Sequence, residues 1–320
     1  MTFNWCFIGT GKIANKVAKE VVSAAGHKIV SVYNRTYEKA ETFAKTYHSI
    51  AYKNALDAIK DPRVEGVYIA TTNETHYAYI KLCLENHKPV LCEKPITGNA
   101  KQFAELIALA KKTKTFLSEA MWTWYNPVAH KVKKWIEEGR IGDIKKVDCR
   151  FNVPMLNYLK KNSRLSSVEK YGGALLDIGI YPVRYIYELF GWPDQIISKG
   201  KVRHGVDISN KSIFVYEDFK AVVSSRMDLY TGEYCLIKGE YGKIKVPFFH
   251  MANKAILYTD NEKIVFNDPA KKFARQFMKV AADIKDGQRE SIVNLDSSLE
   301  VMKILDEIRS QIGVLYECDK

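Results

Sequence analysis

The chain has 320 residues, 47% of them hydrophobic, and a formal net charge of +12. This length allows a sizeable core and favours two domains over one. No apolar run approaches the ~20 residues that cross a bilayer, and the N-terminus lacks the pattern of a secretion signal. The six cysteines show no metal-ligand spacing, and the lysines are dispersed without interleaved aromatics. We therefore expect a cytoplasmic protein with no metal, membrane or nucleic-acid partner.

Strands and helices alternate over the first 120 residues. The apolar segment 4–9 is typical of a strand covered on both faces, and Ile13, Val17 and Val21 form a helical stripe after it. Further strands are predicted at 27–34, 64–71, 89–93 and 115–120, with helices after Thr36 and at 75–86 and 99–112. This alternation predicts an α/β fold, a doubly wound parallel sheet with right-handed crossovers.

A glycine-rich loop, GTGKIA, follows the first strand. Gly9 allows a tight turn, Gly11 allows the backbone to approach a pyrophosphate, and Ala14 keeps the helix close to the sheet. The helix N-terminus and its N–H groups then hold the phosphates. The strand–loop–helix context favours a dinucleotide site over a merely structural turn. The cofactor candidates in this loop are Gly9, Thr10, Gly11, Lys12 and Ile13.

The second strand ends in Tyr33-Asn34-Arg35-Thr36. NAD-binding units usually carry an acidic residue here that binds the ribose hydroxyls, and this chain has none. Arg35 offers a guanidinium that can bind a 2′-phosphate. We expect Asn34 and Arg35 to contact NADP, with NAD as the less favoured cofactor. The alternative is a surface arginine beside a helix cap.

The fifth strand reads VLCEKPIT and stops at Pro95. Lys94 at a strand end either reaches for water or delivers an ammonium group to a site of chemistry. On this segment alone the two interpretations stay open.

The second half reads as strands at 144–153, 195–202, 211–217, 220–229, 233–239, 242–247, 255–260 and 263–268, with closing helices at 270–286 and 296–311. The short connections between these strands predict hairpins. Because the alternation of strands and helices stops near residue 120, we predict a domain boundary there, with a dinucleotide-binding domain at 1–120 and a second domain at 121–320.

Four motifs resemble the glucose–fructose oxidoreductase / inositol dehydrogenase / MocA (Gfo/Idh/MocA) family. They are the glycine loop, ATTNETH at 70–76, EKP at 93–95 and GGALLDIGIYP at 172–182. Within it, GGALLDIGIYPV and EAMWTWYNP look most like the dimeric dihydrodiol and NADP-dependent D-xylose dehydrogenase branches. The resemblance implies an N-terminal Rossmann domain and a C-terminal α+β domain whose large, mostly antiparallel open sheet mediates homodimers. It also places Thr71, Thr72, Asn73, His76, Glu93 and Lys94 on the cofactor side. Relatives often read T-P-N where this chain has Thr71-Thr72-Asn73, and His76 alternatively caps the following helix.

The resemblance also indicates a catalytic constellation. Asp177 and Tyr181 stand four apart, so both project from one helix face. Relatives usually carry D-x-G-x-H, whereas this chain has D-x-G-x-Y. A free tyrosine has a pKa of about 10, so it needs a nearby cation to act as a base. We expect Lys94 to be that cation, Tyr181 to exchange the hydroxyl proton and Asp177 to orient substrate. The alternative is that Tyr181 is an ordinary half-buried aromatic.

These features predict an NADP-dependent oxidoreductase acting on a sugar or a cyclic diol. Trp122 is expected to wall the substrate site, and Arg164 resembles an arginine that relatives place near cofactor or substrate. Two alternatives remain. One is a non-catalytic protein of the same fold that binds NADP to control a partner, and the other is an enzyme acting on a different ring, such as an inositol.

Overall fold

The structure is a computed structural model that describes residues 2–24, 26–155, 157, 159, 163–269 and 272–320. The chain forms two compact units. The first comprises Met1–Trp122 with Lys271–Ser298, and the second comprises Thr123–Ala270 with Leu299–Lys320. None of the described helices is long and apolar enough to cross a membrane. All six cysteines are thiols rather than disulfides.

The first unit contains a six-stranded sheet. Its strands are β1 (Phe3–Ile8), β2 (His27–Tyr33), β3 (Ile50–Tyr52), β4 (Gly66–Ile69), β5 (Val90–Cys92) and β6 (Leu117–Glu119). They lie in the order β3-β2-β1-β4-β5-β6, and every pairing is parallel. The order reverses at β1, which confirms the predicted doubly wound sheet and creates a switch point where the β1 and β4 ends meet.

Five helices connect these strands: α1 (Lys12–Ser23), α2 (Tyr37–Tyr47), α3 (Ala55–Lys60), α4 (Asn73–Glu85) and α5 (Ala100–Thr113). The predicted stripe of α1 is buried at Val17 and Val21, whereas Ile13 is only partly buried. The sequence analysis missed β3 and α3. Three and six residues are too short to show a convincing period, and β3 is partly exposed.

The second unit contains an eight-stranded sheet. Its strands are β7 (Ile144–Asn152), β8 (Gln195–Arg203), β9 (Val206–Val215), β10 (Lys220–Arg226), β11 (Gly232–Gly239), β12 (Gly242–Pro247), β13 (Lys254–Thr259) and β14 (Lys263–Asn267). They lie in the order β14-β13-β12-β11-β7-β10-β9-β8. The β7–β10 pair is parallel and the remaining pairs are antiparallel, as predicted.

The remaining α-helices are α6 (Pro127–Glu137), α7 (Ile180–Phe190), α8 (Lys272–Lys285) and α9 (Leu295–Ile312). Helix α7 contacts β7 and β10 at the centre of the second sheet. Its first seven residues are all buried, so this helix belongs to the core of the unit. A π-helical turn, Leu175–Gly179, leads into it.

Helix α8 is a correction to the predicted division at residue 120, which placed all of 121–320 in the second domain. Phe277 of α8 is fully buried, with its ring centroid 4.8 Å from that of Trp5 and 5.0 Å from that of Tyr68. The late helix therefore completes the core of the first unit. Residues 270 and 271 of the predicted helix lie outside the described part of the chain.

Candidate active site

The glycine loop after β1 has the geometry that its sequence predicts. Gly9 has a φ of +100°, and a Cβ there would lie 2.5 Å from the carbonyl oxygen of Ala70. Its N–H donates to the carbonyl of Tyr33 at 2.8 Å. Only glycine satisfies both the left-handed conformation and the close approach of β4. Space is open around the position of a Cβ on Gly11, so this residue leaves room beside the helix N-terminus.

A cavity of about 600 Å³ opens at the N-terminus of α1. It is lined by Thr10, Gly11, Lys12, Asn15, Lys16, Lys19 and Lys39. No side chain caps the N-terminus of α1, and its first turn carries no acidic residue. Backbone N–H groups, the helix dipole and four ammonium groups therefore all favour an anion here. The i, i+4, i+7 spacing of the three α1 lysines was the signal that the sequence analysis missed.

Asn34 fixes the end of β2 to the glycine loop. Its Nδ2 donates to Thr10 Oγ1 at 2.8 Å, and its Oδ1 accepts from the N–H of Thr36 at 2.9 Å. The neighbouring Arg35 is exposed. Asn34 thus has a defined structural role, and the contact of Arg35 with a cofactor phosphate stays a prediction.

His76 joins the ends of β4 and β5. The side chain is fully buried, with Nδ1 2.8 Å from the carbonyl oxygen of Pro95 and Nε2 3.4 Å from that of Thr71. Thr75 Oγ1 donates to Thr71 Oγ1 at 2.7 Å, and Asn73 is also buried. The polar groups of this segment are therefore held in place, whereas their contacts with a cofactor remain predictions. Thr72 is the N-cap residue of α4.

Lys94 lies two residues beyond the end of β5 and is partly exposed, and the Lys94–Pro95 peptide is cis. The preceding Glu93 is buried and accepts a 2.6 Å hydrogen bond from the hydroxyl of Tyr68. Burial raises the pKa of the Glu93 carboxyl, while the Tyr68 hydrogen bond and the Lys94 charge act in the opposite direction.

Glu119 at the end of β6 anchors the segment after Lys94. It is buried, and its two oxygens accept from the N–H of Ile96 at 3.2 Å and from the hydroxyl of Ser298 at 2.9 Å. The sequence analysis missed this residue. The available signal was a lone carboxylate inside the apolar strand TFLSEA.

In the second unit, the π-helical turn and α7 carry Asp177 and Tyr181. Arg164 Nη2 donates to Asp177 Oδ1 at 2.8 Å, so the structure brings two predicted residues together. Tyr181 is 8% exposed. Its ring centroid lies 5.8 Å from that of Phe151 and 5.5 Å from that of His250.

Asp207 on β9 accepts a hydrogen bond that fixes the π-helical turn leading into α7. Its Oδ2 accepts from the N–H of Leu175 and from Nδ2 of Asn210, both at 2.9 Å. Gly173 has a φ of +108°, and a Cβ there would lie 2.4 Å from Asp207 Oδ1. Burial raises the pKa of Asp207 to about 6. Sequence reasoning missed it because a single aspartate in the strand VDISN forms no local motif.

His250 is the second residue that the sequence analysis missed here. It lies in the 3₁₀ turn Phe249–Met251 between β12 and β13, and its Nδ1 pairs with the carboxylate of Glu233. The imidazole stacks on Phe151, with 4.1 Å between ring centroids. The chain thus places a histidine beside Tyr181, although no histidine occurs in the helical motif itself.

Trp122 is 7% exposed, and its ring centroid lies 5.1 Å from that of Phe273, within the first unit. A role in binding substrate stays a prediction for Trp122. Among the described residues, no group of three histidine, cysteine, aspartate or glutamate side chains could hold a metal ion.

Comparison with known proteins decides the family. Residues 3–121 match the oxidoreductase family with an NAD-binding Rossmann fold, and residues 129–245 match the GFO/IDH/MocA C-terminal domain. The chain belongs to the Gfo/Idh/MocA family. The predicted resemblance is confirmed, and this Gfo/Idh/MocA member is an enzyme, an oxidoreductase acting on CH–OH groups with a nicotinamide cofactor.

Two of the similar proteins align with this chain over almost its full length. It is 33% identical to the trans-1,2-dihydrobenzene-1,2-diol dehydrogenase of Xenopus tropicalis, over 99% of this chain and 100% of that protein. It is 28% identical to the scyllo-inositol 2-dehydrogenase (NADP(+)) of Bacillus subtilis, over 99% of both.

Solved structures share its fold. A 3-ketoreductase from Actinomadura kijaniata, in complex with NADP and TDP-benzene, superposes with a TM-score of 0.89 at 20% identity, over 99% of both chains. An aldose-aldose oxidoreductase from Caulobacter crescentus, complexed with glycerol, gives a TM-score of 0.88 at 17% identity, over 98% of both. At this identity the likeness shows the fold.

Proposed function

We propose that the protein is an NADP-dependent oxidoreductase that transfers a hydride between the nicotinamide and a carbinol or carbonyl carbon of a sugar or cyclic diol. The observation that carries this proposal is the lysine-lined cavity at the N-terminus of α1, which suits the phosphates of a dinucleotide. The names of the relatives, a diol dehydrogenase and an inositol dehydrogenase, support the substrate class.

NADP rather than NAD is proposed because no acidic residue follows β2. Arg35 would bind the 2′-phosphate, and Lys39, which lines the cavity one helical turn further on, would add a second positive charge. Lys12 and the N–H groups of the first turn of α1 would hold the pyrophosphate. The relative from Bacillus subtilis is named as an NADP(+) enzyme.

In the proposed mechanism, bound nicotinamide supplies the hydride acceptor or donor. Tyr181 exchanges the substrate hydroxyl proton, and the positive charge of Lys94 favours the phenolate and binds the substrate oxygen. Asp177 orients substrate hydroxyls and is itself oriented by its ion pair with Arg164. The buried anchors Glu119 and Asp207 hold the segments that carry Lys94 and Asp177.

The test is absorbance at 340 nm with NADP(H) and NAD(H), each paired with pentoses, hexoses, osones and trans-diols. The proposal expects turnover with NADP(H) on at least one of these substrates, and Lys94→Ala should lower it by roughly 10²-fold while NADPH still binds. Tight NADPH binding without oxidation on any substrate would instead favour the non-catalytic regulatory protein. Equal turnover with NAD(H) would remove the NADP assignment alone.

A further inference from the structure

Even where the positive charge of Lys94 favours its phenolate, a tyrosine in the acid–base role needs a partner that takes up its proton near neutral pH. Tyr181 can accept a proton from substrate only after losing its own, and a phenol does so poorly near pH 7. Turnover also requires that each proton leaves the tyrosine again. The second unit therefore needs a group that exchanges protons with Tyr181, and histidine is the side chain that titrates in that range.

His250 lies beside Tyr181 in a fixed position. The ring centroids of His250, Phe151 and Tyr181 form a triangle with sides of 4.1, 5.8 and 5.5 Å. His250 also comes from a turn that is tied to the sheet, because the N–H of Phe248 donates to the carbonyl of Glu233 at 2.9 Å. Three elements, α7, β7 and the turn after β12, thus hold the imidazole against the phenol ring.

Glu233 determines which imidazole nitrogen is the basic one. Its carboxylate pairs with Nδ1 of His250, and the two side chains are only 7% and 13% exposed. A carboxylate on Nδ1 keeps the proton on that nitrogen, directs basicity to Nε2 and stabilises the imidazolium when it forms. Glu233 faces His250 from β11, Tyr181 faces it from α7, and the uncharged ring of Phe151 covers it from β7.

We propose that His250, oriented by Glu233, relays protons between Tyr181 and solvent. In the oxidation direction, the substrate C–H bond breaks and its electron pair leaves as hydride to the nicotinamide. The O–H proton passes to the Tyr181 phenolate as the carbonyl forms, and Tyr181 then gives its proton to His250, which releases it to water. Reduction runs the same steps in reverse. This role rests on the proposed function, because it requires Tyr181 to be the acid–base residue.

The test compares His250→Asn with His204→Asn, a histidine exposed in the β8–β9 turn, in the NADP(H)-loaded enzyme. We expect His250→Asn to lower kcat by roughly 10- to 100-fold, with KM and NADPH affinity within about twofold and the near-neutral limb of the pH–kcat profile lost. Added imidazole should restore part of kcat to the His250→Ala variant.

Glu233→Gln should move the near-neutral limb of the pH–kcat profile to lower pH, because the imidazolium of His250 loses the carboxylate that stabilises it. His204→Asn should match the parent enzyme.

A double variant separates this role from simple packing. Tyr181→Phe combined with His250→Asn should be no slower than Tyr181→Phe alone, because the relay has no function without the phenol. Should His250→Asn lower the unfolding temperature, His250→Phe preserves the ring packing and must show the same loss of kcat and no imidazole rescue. A slow Tyr181→Phe together with normal kcat and pH profile in His250→Asn or His250→Phe would overturn the relay and leave the proposed function standing. Normal turnover in Tyr181→Phe would instead remove the acid–base role of Tyr181 on which the relay rests, and no turnover of NADP(H) by the parent enzyme would remove the proposed function itself.

Discussion

The two units build their chemistry in opposite ways. In the first, the groups that suit a dinucleotide come from one strand–loop–helix segment and the end of the next strand, and Asn34 bonds to Thr10 only 24 positions away. In the second, Tyr181 lies beside a ring from β7 and a histidine from the turn after β12, and that histidine pairs with a carboxylate from β11. Local sequence therefore specifies the first site, whereas the tertiary fold assembles the second.

The difference follows from the sheets. Parallel strands end at one edge of a sheet, so the βα loops gather there whatever the rest of the chain does. Residues beside α7 instead come from strands paired in the order β11-β7-β10-β9, which brings together positions about 100 residues apart. The second site should therefore respond to changes at buried residues remote in sequence, and the first to changes within its own loop.

The largest expected effect concerns Asp207 beneath α7. Its carboxyl has an ordinary pKa of 3.8 when unfolded and about 6 when folded. The folded state therefore binds more protons between these values, and stability falls as pH rises through that window, by about 3 kcal/mol in total. In Asp207→Asn this pH-dependent loss of stability should disappear, while the amide oxygen of the new side chain still accepts from the N–H of Leu175. Urea unfolding at pH 4 and pH 7 should show that the free energy of unfolding of the variant, relative to that of the parent, is higher at pH 7. Parallel pH curves would contradict the burial argument.

The next effect is expected in the glycine loop. Gly9→Ala forces a Cβ against Ala70 at a positive φ, a strain of ~1–3 kcal/mol, and should weaken NADPH binding by roughly 10- to 100-fold. Gly11→Ala is the matched control for stability, because nothing lies near its Cβ. Its unfolding temperature should stay unchanged. Fluorescence titration measures the NADPH affinity of the two variants, and thermal unfolding measures their stability. Equal unfolding temperatures for the two variants would show that the local fit of Gly9 is unimportant.

The smallest expected effect is a change in the preference for NADPH over NADH. Arg35→Ala should weaken NADPH binding about tenfold and leave NADH binding within about twofold, since only NADPH carries the 2′-phosphate. Lys28→Ala, an exposed lysine on β2, serves as a control for the loss of one positive charge. If both nucleotides lose affinity equally, Arg35 contacts a part that they share.

Apolar runs and caps were enough to predict every strand of both sheets except β3, and to predict a doubly wound parallel sheet. Short elements such as β3 and α3 escaped because they have no full period, and helix α8 was assigned to the wrong unit because nothing in its own sequence identifies Trp5 and Tyr68 as its neighbours.

The candidate site divides in the same way. Lys94, Asp177 and Tyr181 were predicted because each belongs to a motif. Glu119 and His250 were not. The partner of Glu119 is Ser298, 179 positions away, and nothing in the sequence around His250 identifies Tyr181 as its neighbour. Such contacts depend on tertiary packing, which one sequence does not display.

Proton exchange by Tyr181 is most directly tested by single-turnover hydride transfer in NADPH-loaded enzyme, followed at 340 nm with saturating carbonyl substrate. Tyr185→Phe is the matched control, because Tyr185 lies on the same helix, is 2% exposed and has an Oη without a hydrogen-bond partner among the described residues. We predict that Tyr181→Phe transfers hydride at least ~10²-fold more slowly while binding NADPH normally, and that Tyr185→Phe keeps the parent rate. Equal rates in the two variants would contradict the account.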